Sequence, residues 1–313
     1  MPASSAPIAW MNGRFLPAAE LSLPVGDAGF VLGATVTEQL RTFRGRLFRP
    51  HAHSKRLHES LVITGIDLAQ VRNTSGQLLA LRIEDVLQAA AEVASTNAAL
   101  GPAEGDLGVV IFATPGDLAS QHQGHSGSPR VVVHSFPLAF GLWHTAYEQG
   151  VALRRVQVRQ VPDVCWPVQL KCRSRMHYFL ADREAADREP GSRAVLEELD
   201  GTICETSTAN VLVVHEGVLS APTHALEGVS LAYVQERAAE LHLPWQPKRL
   251  VAADLASADE IMLTSTPNCL LPATRFEGAA VGTGEPGPIY RSLLASWSEQ
   301  VGVDIAAQAA AMA

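Results

Sequence analysis

Apolar positions along the chain recur first with period two, then with period about 3.6, and the switches between the two predict the elements. Ile8-Ala9-Trp10-Met11, then Asn12-Gly13, then Arg14-Phe15-Leu16 predict a hairpin, because Asn-Gly takes the positive φ values of a type I′ turn. Residues 36–43 have the alternating, β-branched character of a strand, Arg44-Gly45 turns it, and 46–49 return. Pro50-His51-Ala52-His53 leads into a helix with Leu57, Leu61 and Ile66 on or near one face, and 82–100 predict a second with Ile83, Val86, Leu87, Ala90 and Ala94. Short apolar strands at 108–113 and 130–134 flank a loop rich in Gly, Ser, Gln and His. The segment 136–145 has no clean period and reads as a crossing between domains.

The second half begins with a strand at 151–158. Lys171, after Trp166-Pro167, is expected to open a helix with apolar positions Met176, Phe179, Leu180 and Ala185. Residues 194–220 form a meander turned at Asp200-Gly201 and Glu216-Gly217, followed by a helix at 230–242 and a strand at 260–264. This mixture favours an α+β fold over one parallel sheet. The expected organisation is a smaller N-terminal α/β domain at 1–136, a linker at 137–145 and a larger C-terminal domain at 146–313.

Composition agrees: 313 residues, 47% hydrophobic and 18% charged, suit two cores better than one. A net charge of −8 without any basic run lacks the footprint of a nucleic-acid binder. No stretch approaches the roughly 18–20 apolar residues of a membrane span, and Met-Pro-Ala-Ser-Ser lacks a signal-like start, so the expectation is a soluble, cytoplasmic protein. Cys165, Cys172, Cys204 and Cys269 have no paired C-x-x-C spacing and read as buried thiols. The 24 basic residues include only three lysines, Lys55, Lys171 and Lys248, so chemistry that needs an amine has three candidates.

Lys171 reads either as a surface ammonium at a helix start or as an amine partly buried between Leu170 and Cys172, where burial lowers its pKa toward imine chemistry. Glu205, before Thr-Ser-Thr-Ala-Asn, reads either as an edge carboxylate or as an ionised partner for a pyridinium nitrogen. His51-Ala-His53 and His122-x-x-His125 have spacings found in metal sites, but no Cys, Asp or Glu accompanies them in a ligand pattern, and no metal is expected.

Taken together, seven segments in order resemble the fold-type IV, or class IV, pyridoxal-phosphate aminotransferases, a group with branched-chain and D-amino-acid aminotransferases, (R)-selective amine transaminases and aminodeoxychorismate lyase. They are Asn12-Gly13 to Phe15; Gly33-Ala-Thr-Val-Thr-Glu38 with Arg41; His53-x-x-Arg56-Leu57; Lys171 with Leu180-Ala181-x-x-Glu184-Ala185; Asp200-Gly201 through Glu205 to Asn210; Gly228-Val229-Ser230; and Thr264-Ser265-Thr266. The 34 residues from Lys171 to Glu205 suit the family.

The resemblance implies a two-domain fold whose C-terminal domain has a mixed, barrel-like sheet, a homodimer, and pyridoxal 5′-phosphate as cofactor. It implies that Lys171 forms the Schiff base and moves the α-proton, that Glu205 keeps the pyridine nitrogen protonated, and that Arg56, Gly228, Val229, Ser230 and Thr266 hold the phosphate. A helix start at Gly228 agrees with that last assignment, since its unpaired N–H groups favour an anion, although Ser230 serves equally as an N-cap. Arg56 beside Lys55 and His58 also reads as a helix-surface arginine, and Thr266 as an ordinary turn residue.

On the substrate side the resemblance points to Thr37, Arg41, His122 and Ser265. Thr37 stands where many relatives have Phe or Tyr. Ser120 and His122 stand where D-amino-acid enzymes carry an Arg and a His that hold the substrate carboxylate. The implied reaction is transamination between an amino acid, branched-chain by first expectation, and a 2-oxo acid. An aminodeoxychorismate-type lyase, a D-amino-acid or (R)-amine transaminase, and a non-catalytic cofactor-binding or interaction protein remain alternatives.

Overall fold

The first hairpin forms as its turn residues require. In the computed structural model, which describes residues 6–102, 105–124 and 127–313, β1 (Ile8–Met11) and β2 (Arg14–Pro17) pair with Met11 opposite Arg14. Asn12 and Gly13 take φ values of 45° and 81°. The chain divides into two units, Met1–Leu138 with Gln169–Ser174, and Ala139–Val168 with Arg175–Ala313.

The first unit adds α1 (Ala28–Val31), β3 (Val36–Phe43), β4 (Arg46–Leu47), α2 (Pro50–Thr64), α3 (Ile83–Ala98), β5 (Leu107–Thr114) and β6 (Arg130–Pro137). Its antiparallel sheet runs β2-β1-β6-β5-β3-β4. Val36 and Leu40 of β3, Leu57 and Leu61 of α2, and Val86, Ala90 and Val93 of α3 share one buried core. Because strand side chains alternate, Glu38 shares the face of Val36 and Leu40 and is fully buried there. A carboxylate in that position needs partners, and α2 provides them.

Residues 169–174, which the sequence reading keeps with the second half, belong to this first unit through backbone pairing. Thr37 N donates to Lys171 O (3.0 Å), Arg173 N donates to Thr35 O (2.9 Å), and Val36 bridges Cys172. Lys171 therefore lies in an extended segment and does not open a helix. The helical period begins only at Met176.

The second unit comprises α4 (Ala146–Gln149), β7 (Val151–Arg159), α5 (Met176–Arg188), β8 (Arg193–Glu197), β9 (Ile203–Thr206), β10 (Asn210–His215), β11 (Val218–Ser220), α6 (Val229–Glu240), α7 (Ala252–Ala256), β12 (Glu260–Ser265), β13 (Cys269–Phe276), β14 (Ala279–Ala280), α8 (Pro288–Val301) and α9 (Ile305–Ala311). Strands β10-β12-β13-β7-β8-β9 follow one another, and pairing of Asn210 with Glu205 joins β9 back to β10, closing a mixed, barrel-like ring. Leu153, Val195, Ile203, Val211, Ile261 and Ala273, one from each strand of the ring, share a core.

Helix α5 corrects a second expectation. It packs by Ala181 and Ala185 against Val156, Ala194 and Leu196, while Met176, Phe179 and Leu180 are 68%, 64% and 45% exposed. Small side chains let the helix approach the sheet closely and turn the large apolar ones outward. Among the thiols, Cys204 and Cys269 are buried, Cys172 is half-buried, and Cys165 is exposed. The Ala-rich end is the short helix α9, with Ile305 and Ala309 buried.

Candidate functional site

The structure groups the candidate residues in two sets, one in each unit. In the first unit, α2 turns His53, Arg56, Leu57, Ser60 and Leu61 to its buried side at helical spacing. Leucines fill the core, and His53 and Arg56 meet Glu38. Arg56 donates from Nε to Glu38 Oε1 (2.7 Å) and from a terminal nitrogen to Oε2 (2.9 Å), and His53 Nδ1 lies 2.7 Å from Oε2. Burial raises the Glu38 pKa, but the Arg56 charge and the hydrogen bonds from Arg56 and His53 outweigh it and hold the carboxyl at about 2. Burial lowers the His53 pKa, the pull of Glu38 opposes it, and the charges of Arg56 and Lys171 add to the lowering. Near neutral pH the cluster is thus a carboxylate, a guanidinium and a neutral imidazole that donates through Nδ1.

Lys171 is fixed beside this cluster by its backbone. Its N–H donates to Ser60 Oγ (3.2 Å), one turn along α2 from Arg56, and its carbonyl accepts from Thr37. Thr37 also donates its hydroxyl to Ile111 O at 3.2 Å. Arg41, two residue pairs further along the same strand face, is 1% exposed, 3.7 Å from Asp106 and stacked over Phe43, so it is committed to a scaffold contact. His122 lies on an exposed loop with Ser120; His125 falls outside the described residues. Within that loop's surroundings Arg130 is held between Asp27 and Asp117, at 2.6 Å from each. Among the described residues no group of three or more His, Cys, Asp or Glu is arranged to hold a metal ion.

In the second unit Glu205 stands at the closure of the ring. Its Oε1 accepts from the Tyr178 hydroxyl (2.5 Å) and from Gln160 Nε2 (3.1 Å). Burial and then the charge of Glu205 push the Tyr178 pKa far up, so the phenol remains a donor. Beyond Glu205, Thr206 and Ala209 exchange hydrogen bonds that shape the Thr-Ser-Thr-Ala turn, and Arg175 donates to the Ser207 carbonyl.

Asn210 then links the carboxylate to the helix start. It pairs with Glu205 on one side and Thr264 on the other, and its Nδ2 donates to Leu226 O (2.9 Å). Its Oδ1 lies only 2.0 Å from where a Cβ on residue 228 would stand, which explains the glycine at the N-cap of α6. Val229 and Ser230 occupy the first helical turn, and no side chain caps it. Ser230 is therefore not acting as an N-cap.

Antiparallel pairing brings the end of β12 to the same side, where Ser265 Oγ donates to Asn268 Oδ1 (2.8 Å) and the half-buried Thr266 begins the turn to β13. Glu205, Gly228 to Ser230, Ser265 and Thr266 thus gather at one end of β9, β10 and β12.

The sequence reading missed Tyr178, Gln160, Ser60 and the linking role of Asn210. It quoted Glu38 and His53 only as parts of motifs. Glu38, His53 and Ser60 share one signal, a polar residue at a position the period assigns to the core.

Comparisons with known proteins bear on the family and the fold. The family model described as amino-transferase class IV matches residues 35–276. The chain is 26% identical over 293 residues to a D-alanine aminotransferase of Bacillus licheniformis, covering 90% of this chain and 93% of that one. It is 28% identical over 288 residues to a probable branched-chain-amino-acid aminotransferase of Thermotoga maritima, covering 91% and 93%. Its fold matches the crystal structure of the Escherichia coli branched-chain amino acid aminotransferase with a TM-score of 0.81, at 22% identity and over 95% and 94% of the two chains.

Proposed function

Because the chain belongs to the class IV aminotransferase family, we propose that Lys171 carries its cofactor, that Glu205 pairs with the cofactor's ring nitrogen, and that Arg56, the 228–230 helix start and Thr266 hold its phosphate. The family works with pyridoxal phosphate, and the enzyme is accordingly a transaminase acting on an amino acid and a 2-oxo acid. When bound, that group supplies an electron-withdrawing ring that lets the substrate α-carbon lose a proton.

The residues present fit it by their chemistry: an amine for its aldehyde, a buried carboxylate for its ring nitrogen, and a guanidinium with uncapped helix N–H groups for its phosphate. Lys171 takes and returns the proton at the substrate α-carbon. Its backbone is tied on both sides, to Ser60 and Thr37, so the side chain moves without its anchor. The Lys171→Ala variant is expected to lose the visible absorbance of the lysine-linked cofactor and all turnover. A borohydride-fixed adduct on Lys55 or Lys248 would overturn the assignment.

The proposed amino donors are branched-chain L-amino acids. The supporting observation is the loop after β5: it offers Ser120 and His122, and the neighbouring Arg130 is consumed by Asp27 and Asp117 instead of serving a substrate carboxylate. A screen of L- and D-amino acids and aryl amines against several oxo acids tests this, followed by the cofactor absorbance. Faster turnover of D-alanine than of L-leucine or L-valine would refute it, and pyruvate release without an added oxo acid would indicate a lyase.

The proposal includes a homodimer in the cytoplasm. The apolar stripe of Met176, Phe179 and Leu180 supports burial against a second copy, and no helix among the described residues is long and apolar enough to cross a membrane.

A further inference from the structure

Resting on the role proposed for Glu205, we propose that Tyr178 and Gln160 are positioning residues that keep its carboxylate ionised and in one orientation, as the acceptor for the cofactor's ring N–H. Three elements converge here: Tyr178 from α5, Gln160 from just beyond β7, and Glu205 from β9. Both donors address the same oxygen, Oε1, at 2.5 Å and 3.1 Å, and Gln160 Nε2 also reaches the Tyr178 hydroxyl at 3.2 Å. Two donors on one oxygen fix the plane of the carboxylate. They also supply part of the stabilisation that water gives an exposed one, and so favour the ionised form of a carboxyl only 6% exposed.

The donors are themselves held. The Arg175 guanidinium lies over the Tyr178 ring at 4.5 Å and donates to Ser207 O, on the turn that follows Glu205. The His177 ring approaches the Tyr178 ring at 3.9 Å, and Gln160 N donates to Glu197 O at 2.9 Å.

The orientation of the Gln160 amide carries the inference furthest. Its NH2 faces the carboxylate, while its Oε1 is buried with no hydrogen-bond partner among the described residues. A side chain selected only for packing has no reason to bury an unpaired carbonyl. Here the unpaired oxygen accompanies an N–H that an anionic Glu205 needs and a carbonyl could not replace.

The proton shared by Glu205 and the ring nitrogen has two places to reside. With both donors present the anion is stabilised and the proton stays on nitrogen, where the ring withdraws electrons most strongly. With the donors gone, the proton shifts toward the desolvated carboxyl and the nitrogen toward its neutral form.

The test is a holoenzyme reconstituted with cofactor carrying 15N in its ring, comparing wild type, Tyr178→Phe, Gln160→Leu, the double variant and Glu205→Gln. The ring 15N shift at neutral pH reports nitrogen protonation, and single-turnover mixing with an amino acid reports removal of the α-proton. In the wild type the nitrogen is expected to be protonated. In Tyr178→Phe the signal moves toward the unprotonated value and α-proton removal slows at least about tenfold, the equivalent of one pKa unit. The double variant should move further, and Glu205→Gln furthest.

If Glu205→Gln moves the nitrogen signal while both donor variants keep the wild-type signal and rate, Tyr178 and Gln160 only pack and the proposal fails with the Glu205 assignment standing. If Glu205→Gln also leaves the signal unchanged, the assignment of Glu205 fails, and the proposal with it. Should one donor variant fail to fold, the other still reads the same signal.

Discussion

Replacing Glu38 with Gln keeps the shape of the side chain and removes the charge on which the Arg56 and His53 cluster depends. The carboxyl is fully buried and held at about 2, against an ordinary 4.5, so its interactions in the folded state favour the ionised form by about 3 kcal/mol. That figure matches the roughly 3–5 kcal/mol lost when a buried ion pair is broken and one charge is stranded. The stranded charge would be Arg56, whose side chain is 10% exposed. His53 cannot compensate, because it has no charge to give up near neutral pH.

The pH dependence gives the sharper test. A carboxyl whose pKa is depressed on folding contributes stability in full above its unfolded value and loses it as the pH falls through its folded value. The window here therefore runs from about 4.5 down to about 2. Urea unfolding of the two proteins, followed by circular dichroism, should differ by about 3 kcal/mol at pH 7, by about 1 kcal/mol at pH 3, and little below pH 2. A difference under about 1 kcal/mol at pH 7, or one of equal size at pH 7 and pH 3, would refute the reasoning, since the loss would then not arise from the carboxylate's charge.

Two further outcomes follow from local geometry. Gly228→Ala places a Cβ 2.0 Å from Asn210 Oδ1, so either the Asn210 contact to Leu226 or the start of α6 must shift. The expected result is a stability loss of about 1–3 kcal/mol together with weaker cofactor binding in a fluorescence titration, and unchanged cofactor affinity would contradict it. His224 lies between Asp163 (2.7 Å) and Glu198 (3.1 Å), and hydrogen bonding to Asp163 leads the causes that raise its pKa. A raised value on folding means that this tether is fully present below the unfolded value and is lost as pH climbs through the folded one. Hydrogen exchange at residues 163–168 should therefore quicken above neutral pH in the wild type and be insensitive to pH-linked loosening in His224→Gln, after correction for intrinsic exchange.

How much of this was legible in the sequence depends on the range of the interaction. The hairpin at Asn12-Gly13 was, because two adjacent residues fix its φ values. The order of the strands and of the two long helices in the first unit was, because each carries its own period, whereas the four-residue α1 is too short to show one. The extended course of Lys171 was not, because Leu170 and Cys172 read equally well as helix flanks, and what straightens them is pairing with Thr35 to Thr37, more than 130 residues earlier. Helix α8 escaped because its buried positions, Tyr290, Leu293 and Trp297, are few and aromatic-rich, and Trp297 finds its contact in Tyr233 of α6 at 4.9 Å.

The same distinction governs the candidate site. Lys171 and Glu205 could be picked out by type and spacing, but the residues that give them their properties lie on other elements. Glu38 occupies a core position of β3, between Val36 and Leu40, and an alternating pattern alone would score it as a mismatch. The mismatch is informative once α2 is considered: His53, Arg56 and Ser60 fall at core positions of that helix by the same rule. A polar residue misplaced on one element is a fault in the pattern, whereas complementary misplacements on two elements are evidence that the elements meet there. Tyr178 and Gln160 lacked such a signal, because α5 exposes its large apolar side chains and packs by alanines, which conceals its buried face from a hydrophobicity reading. Glu205 comes to that helix because β9 pairs with β8, the strand on which α5 packs, and no local pattern encodes which strands become neighbours.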